Sequence, residues 1–195
     1  MKRIHTAIFL VLIFSGCSSH RETIVINSHA GKYQVKTIAL LPFSNSNEEK
    51  FKKSYPSATS VAYESLETHL LALDMEMADR SNVEKIMKEI KFSDTGLTVS
   101  EGTRIGKMIN VDAVIIGNVT SYVQGDVDHP VSRQVENTRF GFSVKAIHVE
   151  SGVILAKVNM FRDIGGIFSY TSPVQALVDQ MMHDMVEKLK KKGLN

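Results

Sequence analysis

The chain has 195 residues, with 23 Lys and Arg against 21 Asp and Glu, a formal net charge of +2, and 43% hydrophobic residues. That length suits one domain with a substantial core, and the near-balance of charge gives no reason to invoke nucleic acid as a partner. A single cysteine excludes a disulfide within the chain, and the body contains neither an internal repeat nor a low-complexity tract.

Lys2, Arg3 and His5 precede an aliphatic and aromatic run at residues 6–14 (TAIFLVLIF), and Ser15 and Gly16 are small residues before Cys17. This is a charged start, a short apolar stretch and a small-residue cleavage site. The apolar run falls well below the roughly 20 residues that cross a bilayer as a helix, so residues 1–16 are expected to be a removable signal peptide. FSGC resembles the lipobox of bacterial lipoproteins, although Phe14 stands where a leucine is usual. In that class the thiol takes a diacylglyceryl group, the chain is cut between Gly16 and Cys17, and the new amino terminus is acylated with fatty acid such as palmitate. Cys17 is thus the expected lipidation site and membrane anchor, each buried methylene contributing about 0.8 kcal/mol. Ser18 and Ser19 after the cysteine are compatible with delivery to the outer membrane, facing the periplasm. Cleavage would leave 179 residues and remove two basic ones, so that 21 basic residues match 21 acidic ones.

Residues 17–34 are expected to be a short lipidated tether with a minor strand at 23–26, and residues 35–195 the folded domain. Residues 35–43 (VKTIALLPF) form a continuous apolar run ended by Pro42, which predicts a strand covered on both faces. The polar stretch 45–53 reads as a loop. From Pro56, the apolar positions Ala58, Val61, Ala62, Leu66, Leu70 and Leu73 follow helical spacing. A short strand is expected at 75–78. Ser81 and Glu84 have the spacing of a capping box for a helix that carries Val83, Ile86, Met87 and Ile90 on one face. Ser100 is read as the cap of another short helix, with Ile105, Met108 and Ile109 along one side.

Residues 111–123 predict a third strand. Phe140, Phe142, Val144 and Ala146 alternate with polar neighbours, and Glu150-Ser-Gly152 is a turn into residues 153–161, so these runs predict an antiparallel hairpin. Ser172-Pro173 opens a last helix with the stripe Val174, Leu177, Val178, Met181, Met182, Met185 and Leu189. Lys188 and Lys190 to Lys192 crowd its carboxyl end, where cations suit the helix dipole. The order of elements predicts a three-layer α/β domain with a mixed β-sheet flanked by helices.

Three segments carry a family resemblance: KTIALLPF, ADRSNVEKIMKEIKFSDTGL, and IGKMINVDAVIIGNVTSY with VKAIHVESGVILAKV. They resemble the CsgG family of curli-secretion lipoproteins, whose core is similar to the amino-terminal domain of TolB and to LpoB-like lipoproteins. The resemblance runs from about residue 35 to 192 and specifies fold better than function. It implies a cell-envelope protein that works by protein–protein interaction. In the curli channel, two membrane hairpins per protomer close a barrel, each hairpin needing roughly 20 alternating residues. Residues 124–139 (QGDVDHPVSRQVENTR) are too polar for such a hairpin and residues 162–172 (RDIGGIFSYTS) too few, so no channel is expected.

Asp126, Asp128 and His129 approach a metal cluster, yet no second ligand group accompanies them, and no metal is expected. His69, His148 and His183 lie on different predicted elements, and H-E-x-x-H, G-x-S-x-G and P-loop motifs are absent. No catalytic residue, small-molecule substrate or cofactor beyond the covalent lipid is expected. Gly165-Gly166 reads as a tight connection, and the methionines of the last helix as core. Ile164, Ile167, Phe168 and Tyr170 form an apolar loop and are the candidate partner contact. The expected role is a non-enzymatic outer-membrane lipoprotein that assists secretion or assembly by self-association as a homo-oligomer or by docking on an envelope partner. The alternative is an LpoB-like regulator of a peptidoglycan synthase, which the short tether disfavours.

Overall fold

The structure is a computed structural model that describes residues 19–47, 49–73, 75–89, 97–125, 137–165 and 173–193. Its centre is one seven-stranded mixed sheet. The strands are β1 (Ser19–Ile26), β2 (Thr37–Leu40), β3 (Ser44–Asn45), β4 (Glu76–Met77), β5 (Ala113–Val123), β6 (Thr138–His148) and β7 (Ile154–Ile164). They lie in the order β1-β7-β6-β5-β2-β4, with β3 beside β5 beyond the end of β2. β1, β7, β6 and β5 are antiparallel neighbours, whereas β2 runs parallel to both β5 and β4.

Among the described residues, five α-helices complete the fold: α1 (Glu49–Ser54), α2 (Ala58–Leu70), α3 (Arg80–Glu89), α4 (Val99–Ile109) and α5 (Val174–Lys191). The sheet separates two cores. On one face, Ala62, Tyr63, Leu66 and Leu70 of α2 and Leu177, Val178, Met181, Met182 and Met185 of α5 pack on Ile38, Leu40, Val119, Phe140, Phe142 and Met160. On the other, Val83 and Met87 of α3 and Ile105 of α4 cover Ala39, Leu41, Val114, Ile116, Ile147 and Val149. This is the expected three-layer α/β architecture. The unbroken apolar run at residues 38–41 follows from it, because alternate side chains enter different cores and both must be apolar.

α4 lies close to the sheet because two of its inward positions are glycines. A Cβ on Gly106 would come within 2.4 Å of Val149 Cγ2 and 2.7 Å of Val114 Cγ1. Asp112, at the entry to β5, accepts from the backbone N–H of Lys36 and Thr37, both at 2.9 Å, and from Thr37 Oγ1 at 3.0 Å. These bonds, the Thr37 N–H first among them, hold its carboxyl below the usual carboxylate range and fix the parallel register of β2.

Several local expectations need correction. Residues 17–34, read as a tether with a minor strand at 23–26, carry an eight-residue edge strand from Ser19, paired with β7 along its whole length. The polar alternation SHRETIVI hides it, because only Glu22, Ile24 and Ile26 of the inward positions are partly buried. The supposed loop at 45–53 takes in the end of β3 and most of α1. The cap of α3 is Asp79, whose Oδ1 accepts from the N–H of Ser81 at 2.8 Å and of Asn82 at 3.3 Å, while Glu84 pairs with Arg80 at 2.9 Å. The capping box lies instead on α4, where Thr98 rather than Ser100 is the cap: Glu101 N–H donates to Thr98 Oγ1, and Glu101 Oε2 accepts from Thr98 N–H at 2.8 Å. The first turn of α5 is met by Gln124, whose Oε1 accepts from Val174 N–H at 2.8 Å.

Candidate interaction surfaces

Gly16 and Cys17 lie outside the described residues, but the strand that starts at Ser19 fixes where the chain enters the domain. Ser19 stands opposite Asp163, Thr138 opposite Ile164, and Val123 opposite Arg139. The amino-terminal entry, the end of β5, the start of β6 and the end of β7 therefore share one end of the sheet. Of the predicted contact residues, Ile164 is the last residue of β7 and packs partly buried against the larger core, so it belongs to the strand and not to an exposed loop. Ile167, Phe168 and Tyr170 lie outside the described residues, as do Gly166 and the Asp126, Asp128 and His129 triplet.

That end of the sheet is tied together by polar contacts. Asn137 Nδ2 donates to Asp163 Oδ1 at 2.7 Å, and Gly125 N–H donates to Thr138 Oγ1 at 3.1 Å. Gln124 N–H donates to the Tyr55 hydroxyl at 3.1 Å. Gly165 is buried where a Cβ would come within 1.9 Å of Asn137 Oδ1, so a larger residue does not fit there, and the connection that follows it lies outside the described residues. Two ion pairs bind β7 and the edge strand β1 to α5. Arg162 Nη2 meets Asp184 Oδ2 at 2.5 Å, and Lys188 Nζ meets Glu22 Oε2. The Lys188 ammonium, acting by hydrogen bond, holds the Glu22 carboxyl below its ordinary range.

His69 and His183, placed on separate elements by the sequence, meet across α2 and α5 with ring centroids 5.2 Å apart. His69 Nε2 lies 3.0 Å from Asp179 Oδ1, and Ser65 Oγ donates to the same oxygen at 3.1 Å. Asp179 thus sits between serine and histidine, so this trio does not have the nucleophile–base contact of a hydrolase. His148 is elsewhere, bonded through Nδ1 to Ser151 Oγ at 2.9 Å in the β6–β7 turn. Among the described residues, no group of three or more His, Cys, Asp or Glu is arranged to hold a metal ion. Nor is any helix among them long and apolar enough to cross a membrane.

No protein-family model matches the chain, and no curated protein matches it. Solved structures do share its fold. A PelC dodecamer from Paraburkholderia phytofirmans aligns with a TM-score of 0.53 at 16% identity, over 87% of this chain and 96% of that one. The lipoprotein GNA1162 from Neisseria meningitidis aligns with a TM-score of 0.53 at 15% identity, over 80% of this chain and 99% of that one. The carboxy-terminal domain of LpoB from Salmonella enterica aligns at 0.46 with 11% identity, over 66% of this chain and 83% of that one. The α/β fold is accordingly one that a lipoprotein and a twelve-subunit assembly also use.

Proposed function

We propose that the chain is a CsgG-like, non-enzymatic lipoprotein, anchored through Cys17 in the outer membrane on its periplasmic side, that assists secretion or assembly of an envelope complex. The observation that carries this reading is the short interval, Ser18 alone, between the lipobox cysteine and the edge strand at Ser19. A lipid on Cys17 would hold the Ser19 end of the sheet within about 7 Å of the anchor, at roughly 3.4 Å per extended residue. The domain then works at the membrane surface, by association with copies of itself or with a partner there. The fold shared with a dodecamer and with a lipoprotein is consistent with both parts of the reading.

The same short interval disfavours the LpoB-like alternative, because a regulator reaching a synthase across the periplasm needs a long spacer. Mass spectrometry of the purified protein should find an acylated Cys17 as the first residue, and light scattering in mild detergent a defined oligomer. An unmodified Cys17 would overturn the anchor, and a strict monomer would overturn self-association and leave docking on a partner.

A further inference from the structure

Among the described residues, α3 and α4 cover only part of their face of the sheet. Beyond Ile116, the residues of β5, β6, β7 and β1 that point to this side are mostly polar, and they reach solvent: Thr23, Val25 and Lys157 are exposed, and Asn118, Ser143, Lys145, Asn159 and Phe161 partly so. The register aligns them. Asn118 stands opposite Ser143, Ser143 opposite Asn159, and Asn159 opposite Thr23, giving one row of four hydrogen-bonding side chains across four strands. At about 4.8 Å between strands the row is about 14 Å long, with a step on the scale of one sugar ring.

The rows on either side add charge and an aromatic ring. Lys145 and Lys157 are directly opposite each other, and Val25, 56% exposed, follows on β1. On the other side Phe161 stands opposite Gly141, with Arg21 beyond it. A Cβ on Gly141 would lie 2.9 Å from Phe161 Cδ2, so the glycine lets the ring lie down on the sheet while it stays partly exposed. Between the polar row and the first turn of α4 runs a groove of about 500 Å³, lined by Ser44, Ser46, Thr98, Asn118, Ser143 and Lys145.

These groups are unspent. Asn118 Oδ1 accepts from Ser44 Oγ and Ser46 Oγ, each at 2.9 Å, which leaves its amide donors available. Among the described residues, the side chains of Thr23, Ser143 and Asn159 make no hydrogen bond, and Lys145 and Lys157 make no ion pair. Glu101, in the first turn of α4, is engaged by Thr98. Like charges placed directly opposite across a sheet are destabilising, so the lysine pair does not serve the fold.

We propose that this open face binds an acidic linear polysaccharide laid across the strands. Its carboxylates would meet Lys145 and Lys157, its hydroxyls the row from Asn118 to Thr23, and the apolar face of one sugar the Phe161 ring. Charge complementarity selects an anionic occupant, and the repeat of neutral hydrogen-bonding groups selects a hydroxyl-rich polymer. The proposal stands independently of the lipid anchor.

The test is calorimetric titration of the full chain in mild detergent with a six-residue oligogalacturonate, with neutral cellohexaose and short polyphosphate as comparisons. Saturable binding of the oligogalacturonate is expected, weakened about tenfold in the double variant Lys145→Gln, Lys157→Gln, a loss of about 1.4 kcal/mol in binding. Asn159→Ala and Phe161→Ala should each weaken it as well, and the melting temperature of the double variant should not fall. No saturable binding, or binding unchanged in the double variant, would overturn the proposal. Equal affinity for polyphosphate would show that charge alone is read, and equal affinity for cellohexaose would remove the lysines, so either overturns it. Dissociation of an oligomer by the double variant would assign the face to a second copy of the chain, which also overturns it.

Discussion

β2 and β5 lie between two cores, whereas β7 and β1 are backed by α5 on one face and present a polar row on the other. In the first region the side chains at 38–40 and 113–116 are all buried, and substitutions there should act on stability. In the second, alternate residues are released from packing, and their identities are free to serve binding. The α5-facing residues Val158 and Met160 are buried, while their neighbours Lys157 and Asn159 reach solvent. One strand therefore carries both functions at a period of two.

The contrast can be broken most strongly in the larger core. Phe140→Ala removes a fully buried ring that packs on Tyr122 and Phe142, and chemical denaturation should show a loss of about 3–5 kcal/mol. Gly106→Ala forces a methyl against Val149 and Val114, side chains held by the strand and turn beneath, and should cost about 1–3 kcal/mol despite alanine's better helix propensity.

Asp112→Ala leaves the backbone N–H groups of Lys36 and Thr37 without their acceptor and should cost about 1–3 kcal/mol at neutral pH. Because the folded carboxyl lies below its ordinary value, its stabilisation is present above the unfolded carboxyl's pKa, near 3.9, and is lost as pH falls through the folded value. The variant's stability should converge on that of the parent on the acid side, which denaturation at a series of pH values will detect. Thr98→Ala removes one half of the α4 capping box and should cost about 1 kcal/mol. At the small end, Lys157→Gln should change stability by no more than about 0.5 kcal/mol, in keeping with a residue on the open face.

The local errors of sequence reading have common physical causes. Ser81-x-x-Glu84 satisfies a capping pattern, but Asp79, with its carboxylate two residues earlier, accepts from the N–H groups of Ser81 and Asn82 and starts the helix sooner. β1 lacks strong alternation because an edge strand buries few residues, and its pairing with β7 joins residues 130 to 144 positions apart in the chain, from Ile26 with Ala156 to Ser19 with Asp163. The polar row is equally silent in sequence, since Asn118, Ser143, Asn159 and Thr23 become neighbours only through three strand registers. The meeting of His69 with His183 likewise depends on how α2 packs against α5.

The sequence by itself determined the fold class, the long helix α5 with its buried methionine stripe, and the β6–β7 hairpin. These rest on periodicity and turn chemistry, which act over a few residues. It also supports the expectation of a lipidated Cys17, since a lipobox is read as a linear motif. The tertiary structure alone decided that the amino-terminal segment after Ser18 joins the sheet, that four strands share one open polar face, and which carboxylates fix registers and helix starts. The reason is that strand partners, cross-strand neighbours and long-range hydrogen bonds are set by the whole chain's burial, which no local window contains.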